Sequence, residues 1–203
     1  MEKVLTISKD YLLVPVKKEA EKRLLTFWCG TEKIYEFEIS CVDTEETYPE
    51  DFCAVLPVKK WKGQKIRIEG DVCESLLSAV REKESAVREN SGYIHFVPET
   101  GWINDPNGLI YSEGKYHLYF QHNPVDVNWG NMSWGHAEST DLLHWVQKED
   151  VMFPDENGTM FSGCAILNER GLLGLPKDTP VFFYTVAGSA SEWSKGKKFV
   201  QRI

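Results

Sequence analysis

The chain has 203 residues, 42% of them apolar, with a formal net charge of -8, five cysteines and five histidines. Both halves are net acidic and neither carries a basic patch, which points away from nucleic acid and from anionic membrane surfaces as partners. An odd number of cysteines with no C-x-x-C spacing speaks against a zinc site and excludes a complete disulfide framework, so free thiols are expected.

In chain order, residues 1–70 read as short strands. Tyr35, Phe37 and Ile39 alternate with Glu36, Glu38 and Ser40, the period-2 pattern of a half-buried strand. Val4–Ile7, Tyr11–Val16, Leu24–Trp28, Phe52–Val58 and Lys65–Ile68 are β-branched or aromatic runs separated by Lys, Glu, Gly and Pro punctuation. Strands at such intervals predict a β-sandwich over residues 1–73. Residues 74–90 are rich in Ala, Glu, Lys, Arg and Leu, with Leu76, Leu77, Val80 and Val87 spaced as one helical face. They predict a helical linker over 74–92. The N-terminus lacks an apolar signal region and no stretch approaches the ~18 apolar residues of a membrane span, so a soluble, cytoplasmic chain is expected.

Beyond Asn90 the composition changes. All five His and five of the seven Trp residues lie there. Predicted strands recur at 108–112, 115–121, 132–139, 144–147, 163–167 and 181–186. Ser112-Glu113-Gly114 and Glu156-Asn157-Gly158 are turn signals between them. By pattern alone this is either a second sandwich or consecutive sheets of a propeller. Within Gly101-Trp102-Ile103-Asn104-Asp105-Pro106-Asn107-Gly108, two amide side chains flank one acid, and Pro and Gly suit a tight turn. That is either a plain Asx-turn or a carboxylate mounted for chemistry, with Asn104 and Asn107 as donors that keep it ionised. His136 and His144 read as structural polar residues rather than metal ligands, and Cys164 as a small buried residue. Trp134 and Trp145 read as core.

Taken with Tyr119-Phe120-Gln121-His122-Asn123-Pro124, Trp129-Gly130-Asn131-Met132-Ser133-Trp134-Gly135-His136, Asp141-Leu142-Leu143-His144-Trp145 and Met160-Phe161-Ser162-Gly163, the motif order resembles the start of the catalytic domain of glycoside hydrolase family 32, the β-fructosidases. The resemblance runs from Tyr93 to Ile203. The first half is similar, more weakly, to the small β-sandwich preceding that domain in a levanase-like subgroup. The resemblance implies an all-β chain: an N-terminal β-sandwich, then an incomplete five-bladed β-propeller of about blades one and two, over residues 93–203.

It also implies chemistry. Asp105 matches the nucleophile of a retaining β-fructosidase that cleaves sucrose, fructo-oligosaccharides, levan or inulin. Asn104 and Gln121 are similar to residues that hydrogen-bond fructosyl hydroxyls, since an amide offers both donor and acceptor. Trp102 and Trp129 match aromatics lining the pocket, and Phe161 and Ser162 resemble a further substrate-contacting pair. A fructoside is the implied partner, with no metal or organic cofactor. Two family motifs are missing from these 203 residues: Arg-Asp-Pro, whose Asp stabilises the transition state, and Glu-Cys, whose Glu is the acid/base. An inactive portion of such an enzyme is therefore expected, with self-association through open propeller edges. A non-catalytic carbohydrate-binding or vestigial protein and a fructosyltransferase are the alternatives.

Overall fold

The computed structural model describes residues 1–85, 88–90, 95–172 and 174–203, with the side chains of 88–90 excepted. Nearly every regular element is a strand in an antiparallel sheet, so the chain is all-β. It divides into two compact units, one of residues 1–86, 100–102 and 123–131, the other of 87–99, 103–122 and 132–203.

The first unit holds β1 (Glu2–Thr6), β2 (Tyr11–Val16), β3 (Lys22–Cys29), β4 (Glu32–Ser40), β5 (Phe52–Pro57), β6 (Lys65–Gly70), helix α1 (Glu74–Ala79) and β7 (Arg81–Lys83). The sheets run β1-β6-β3-β4 and β5-β2-β7. Alternation on β2 buries Leu12, Val14 and Val16, while β3, β4 and β6 contribute Leu25, Phe27, Phe37, Ile39, Ile66 and Ile68. Tyr35 contributes its ring to this core and donates its hydroxyl proton to Pro57 O at 2.7 Å.

The predicted helix over 74–92 is cut short. It ends at Ala79, because Val80 turns to extended backbone (φ −61°, ψ 127°). The Lys3 ammonium donates to the carbonyls of Leu77, Ser78 and Val80, and Arg81–Lys83 then pairs with Tyr11–Leu13 of β2. A free sheet edge and a lysine for the terminal carbonyls override helix propensity here. Val87, assigned to the helical face, lies outside the described residues.

The second unit holds β8 (Arg88–Asn90), β9 (Trp102–Ser112) but for Trp102, β10 (Lys115–Asn123) but for Asn123, β11 (Ser133–Ser139), β12 (Trp145–Gln147), β13 (Thr159–Leu167), β14 (Pro180–Ala187) and β15 (Val200–Arg202). One sheet runs β8-β12-β11-β10-β9 and the other β13-β14-β15. Glu113 and Gly114 both have positive φ (52° and 81°), the signature of the two-residue turn that closes the β9–β10 hairpin with the right twist. Trp134, Met160 and Val186 form the buried centre, with Tyr119, Met152, Phe182 and Tyr184 packed around them. Trp134 is fully buried, as expected, and Trp145 half-buried against Phe96. Gly135 leaves room for the ring of the buried Phe120: a Cβ there would stand 2.3 Å from it.

The segment Trp102–Gly108 is not the tight turn expected. It is the first part of β9, an edge strand of its sheet, and an edge is where a strand tolerates Pro106, which has no N–H to donate. The bend comes at Gly108, whose φ of +48° and close neighbours Tyr119 and Phe182 suit only glycine.

Candidate active site

Asp105 projects from the edge strand β9 and is exposed. Its Oδ2 accepts a hydrogen bond from Ser162 Oγ of β13 at 2.6 Å. That bond first, and one from Asn104 second, hold the Asp105 carboxyl below the usual carboxylate range, with slight burial opposing. The group is therefore an exposed, ionised carboxylate steered by two donors.

Asn107 does not donate to Asp105. It is buried, its Oδ1 accepts from Gly163 N at 3.3 Å, and its Nδ2 has no partner among the described residues. Two bonds therefore tie β9 to β13 side by side, Asp105 to Ser162 and Asn107 to Gly163. Gln121, near the end of β10, is buried too and its Nε2 likewise lacks a partner. A buried N–H donor left unmade costs ~1–3 kcal/mol.

Phe161 packs edge-on against Phe199 (5.8 Å, 83°), and its carbonyl accepts from Trp134 Nε1 at 3.1 Å. Sequence reasoning assigned Ser162 to substrate alone. Its hold on Asp105 needs the β9–β13 proximity, which no spacing in the chain encodes. Trp102 and Trp129 belong to the first unit. Trp129 is exposed, on a loop anchored by buried Asp126, which accepts from Ser40 Oγ (3.0 Å) and pairs with Lys22 (3.2 Å). In the same loop Asn131 continues the strand pattern of β4 by exchanging two hydrogen bonds with the Glu38 backbone, both 2.9 Å.

Two further expectations are corrected. His144 is not inside a sheet: its side chain is 87% exposed and its Nδ1 meets Asp141 at 2.6 Å, where the backbone N–H groups of His144 and Leu143 also converge. Cys164 is exposed, as are Ser162 and Ile166, which alternate with it on the outer face of β13. The other cysteines are free as well, with Cys41 and Cys73 buried.

The family description "Glycosyl hydrolases family 32 N-terminal domain" matches residues 95–203. The chain belongs to glycoside hydrolase family 32. Among family members, a levanase of Bacillus subtilis is 46% identical over 94 residues, 45% of this chain and 14% of the levanase. A raffinose invertase of Escherichia coli is 47% identical over 107 residues, covering 50% of this chain and 22% of the invertase. The exo-inulinase structure from Aspergillus awamori shares 43% identity, with a TM-score of 0.43, over 45% of this chain and 19% of that one. The chain thus spans under a quarter of the length of these family 32 relatives, and β9, β10 and β13, which carry Asp105, Gln121 and Ser162, all lie in or overlap the family region.

Proposed function

We propose that this chain is the nucleophile-bearing part of a retaining β-fructosidase acting on terminal β-D-fructosyl bonds of sucrose, fructo-oligosaccharides, levan or inulin. The observation that carries the reading is the exposed Asp105 carboxylate held by Ser162 and Asn104. In a retaining glycosidase one carboxylate attacks the anomeric carbon, and a second, roughly 5–5.5 Å away, protonates the leaving oxygen and later activates water. Asp105 fills the first role. Asn104, Gln121 and Ser162 would bind fructosyl hydroxyls, and Phe161 would cover the ring. No metal or organic cofactor is needed for these steps.

The acid/base role has no matching residue in the 203. Without proton transfer to the leaving group the rate falls by ~10²–10⁴-fold, so on sucrose the chain alone should bind and hardly turn over. A fructosyl fluoride, whose leaving group needs no proton, should be attacked nonetheless. Fluoride release tests the assignment: about one equivalent per chain is expected, and none above the background rate counts against a catalytic role and favours a non-catalytic fructose-binding protein. In a polypeptide that also supplies the acid/base group, the products formed in the presence of sucrose separate the two reactions: free fructose indicates a hydrolase and a lengthened oligosaccharide a transferase.

We further propose that the two sheets of the second unit are the first two blades of a five-bladed propeller. Leu109, Tyr111, Ile166 and Phe199 are exposed on that unit. Apolar side chains beside open strand edges favour self-association. Sedimentation velocity is expected to show a weight-average mass that rises with concentration. A strictly monomeric boundary at all concentrations would contradict it.

A further inference from the structure

His117 on β10 stands opposite Glu138 on β11, and Tyr119 stands opposite His136. Alternate residues share a face, so these four side chains lie together on one side of the sheet. His117 Nδ1 is 3.1 Å from His136 Nε2, and the two rings are nearly parallel at 13°. His136 lies flat on the Tyr119 ring, 4.5 Å between centroids and 9° between planes. The ligand atoms of His117, His136 and Glu138 all fall within 4.8 Å of one another, and all three residues are half-buried. Two ring nitrogens facing each other at 3.1 Å must share a proton or a cation, since two lone pairs repel.

We propose that His117, His136 and Glu138 form a binding site for a divalent transition-metal ion of the zinc class. Zinc takes imidazole nitrogen at about 2.0–2.1 Å and carboxylate oxygen at about 2.0–2.2 Å, so nitrogens this far apart would subtend roughly 100° at the ion. Two imidazoles and one carboxylate select Zn²⁺, Co²⁺, Ni²⁺ or Cu²⁺ over Mg²⁺ and Ca²⁺, which prefer all-oxygen sets. The ligands stand on two hydrogen-bonded strands and one ring is clamped by Tyr119, which gives the site the rigidity that metal selectivity needs. The ion would replace the proton between the rings and cross-link β10 to β11. Glu138 Oε2 already pairs with Lys115 at 2.8 Å and with Lys148 at 3.4 Å. These ammonium groups compete with a metal for the carboxylate and lower its affinity.

The test is a titration of the purified 203-residue chain with Co²⁺, followed by its d–d absorption, and with Zn²⁺, followed by calorimetry and by Tm. One ion per chain is expected, with Zn²⁺ raising Tm and Mg²⁺ leaving it unchanged. His136→Phe and His117→Phe keep a flat ring on Tyr119 but remove the ligand, and each should weaken binding by at least about tenfold. Glu138→Gln should weaken it as well, and Lys148→Met should tighten it. Cys164→Ser, which removes an exposed thiol, should bind as the parent does. No binding by the parent chain, or binding that survives both Phe variants, overturns the site. So does loss of affinity in Lys148→Met.

Discussion

Replacing Asp105 by Asn is expected to remove fructosyl transfer in the polypeptide that performs it, by on the order of 10³–10⁶-fold in kcat, the range seen when a nucleophile or its partner is deleted. The amide has the same shape, and its carbonyl oxygen can still accept from Ser162, so fold and sugar binding should be nearly unchanged. What is lost is the charge that attacks the anomeric carbon. The pH dependence follows from the same contacts. The hydrogen bonds of Ser162 and then Asn104 favour the ionised form of Asp105 and depress its pKa. A depressed carboxylate stays charged as pH falls through the ordinary range near ~3.9, and activity is lost only below it. Ser162→Ala removes the leading cause, so the acidic limb of the kcat/KM profile should move to higher pH. Steady-state kinetics across pH checks both. An Asp105→Asn enzyme within tenfold of its parent would remove the nucleophile assignment.

Trp134→Ala should destabilise the second unit by about 3–5 kcal/mol, the range for removing a large aromatic from a core. Trp134 is fully buried, and its ring meets Tyr184 at 5.8 Å and both Tyr119 and Phe182 at 6.1 Å. It stands on β11 of one sheet and packs on β14 of the other, so its loss opens a cavity where the two sheets join. The indole also donates to the Phe161 carbonyl, one residue before Ser162. Trp134→Phe separates the two effects, keeping most of the ring while removing the indole N–H bond to that carbonyl, a net loss of ~0.5–1.5 kcal/mol. Urea unfolding measures both. A loss below about 1 kcal/mol for Trp134→Ala would show that the packing between the sheets does not depend on this side chain.

On β4 the apolar positions Tyr35, Phe37 and Ile39 are buried as alternation predicts, but Glu36 and Ser40 are buried as well and of the three polar positions only Glu38 faces outward. The ordered motifs singled out Asp105 and Ser162, which lie within hydrogen-bond distance of each other, 2.6 Å apart. What stayed hidden depends on pairing between distant segments. Arg81–Lys83 becomes a strand only because the β2 edge and Lys3 await it. Asp105-Pro106-Asn107-Gly108 resembles a turn by composition and is extended because an edge strand forgives its proline. Asn107 binds Gly163 rather than the neighbouring carboxylate, which only the β9–β13 approach decides. The opposition of His117 and Glu138 follows from the β10–β11 register, not from any local spacing.

The most direct measurement is to treat the chain with β-D-fructofuranosyl fluoride and map the modified peptide by mass spectrometry. Asp105 Oδ attacks the anomeric carbon as the carbon–fluorine bond breaks and fluoride departs, leaving an ester that persists when no base activates water. The account predicts one added fructosyl unit, carried by the peptide containing Asp105 and missing from the Asp105→Asn chain. A fructosyl ester on any other carboxylate, or the same labelling in the Asp105→Asn chain, would contradict it.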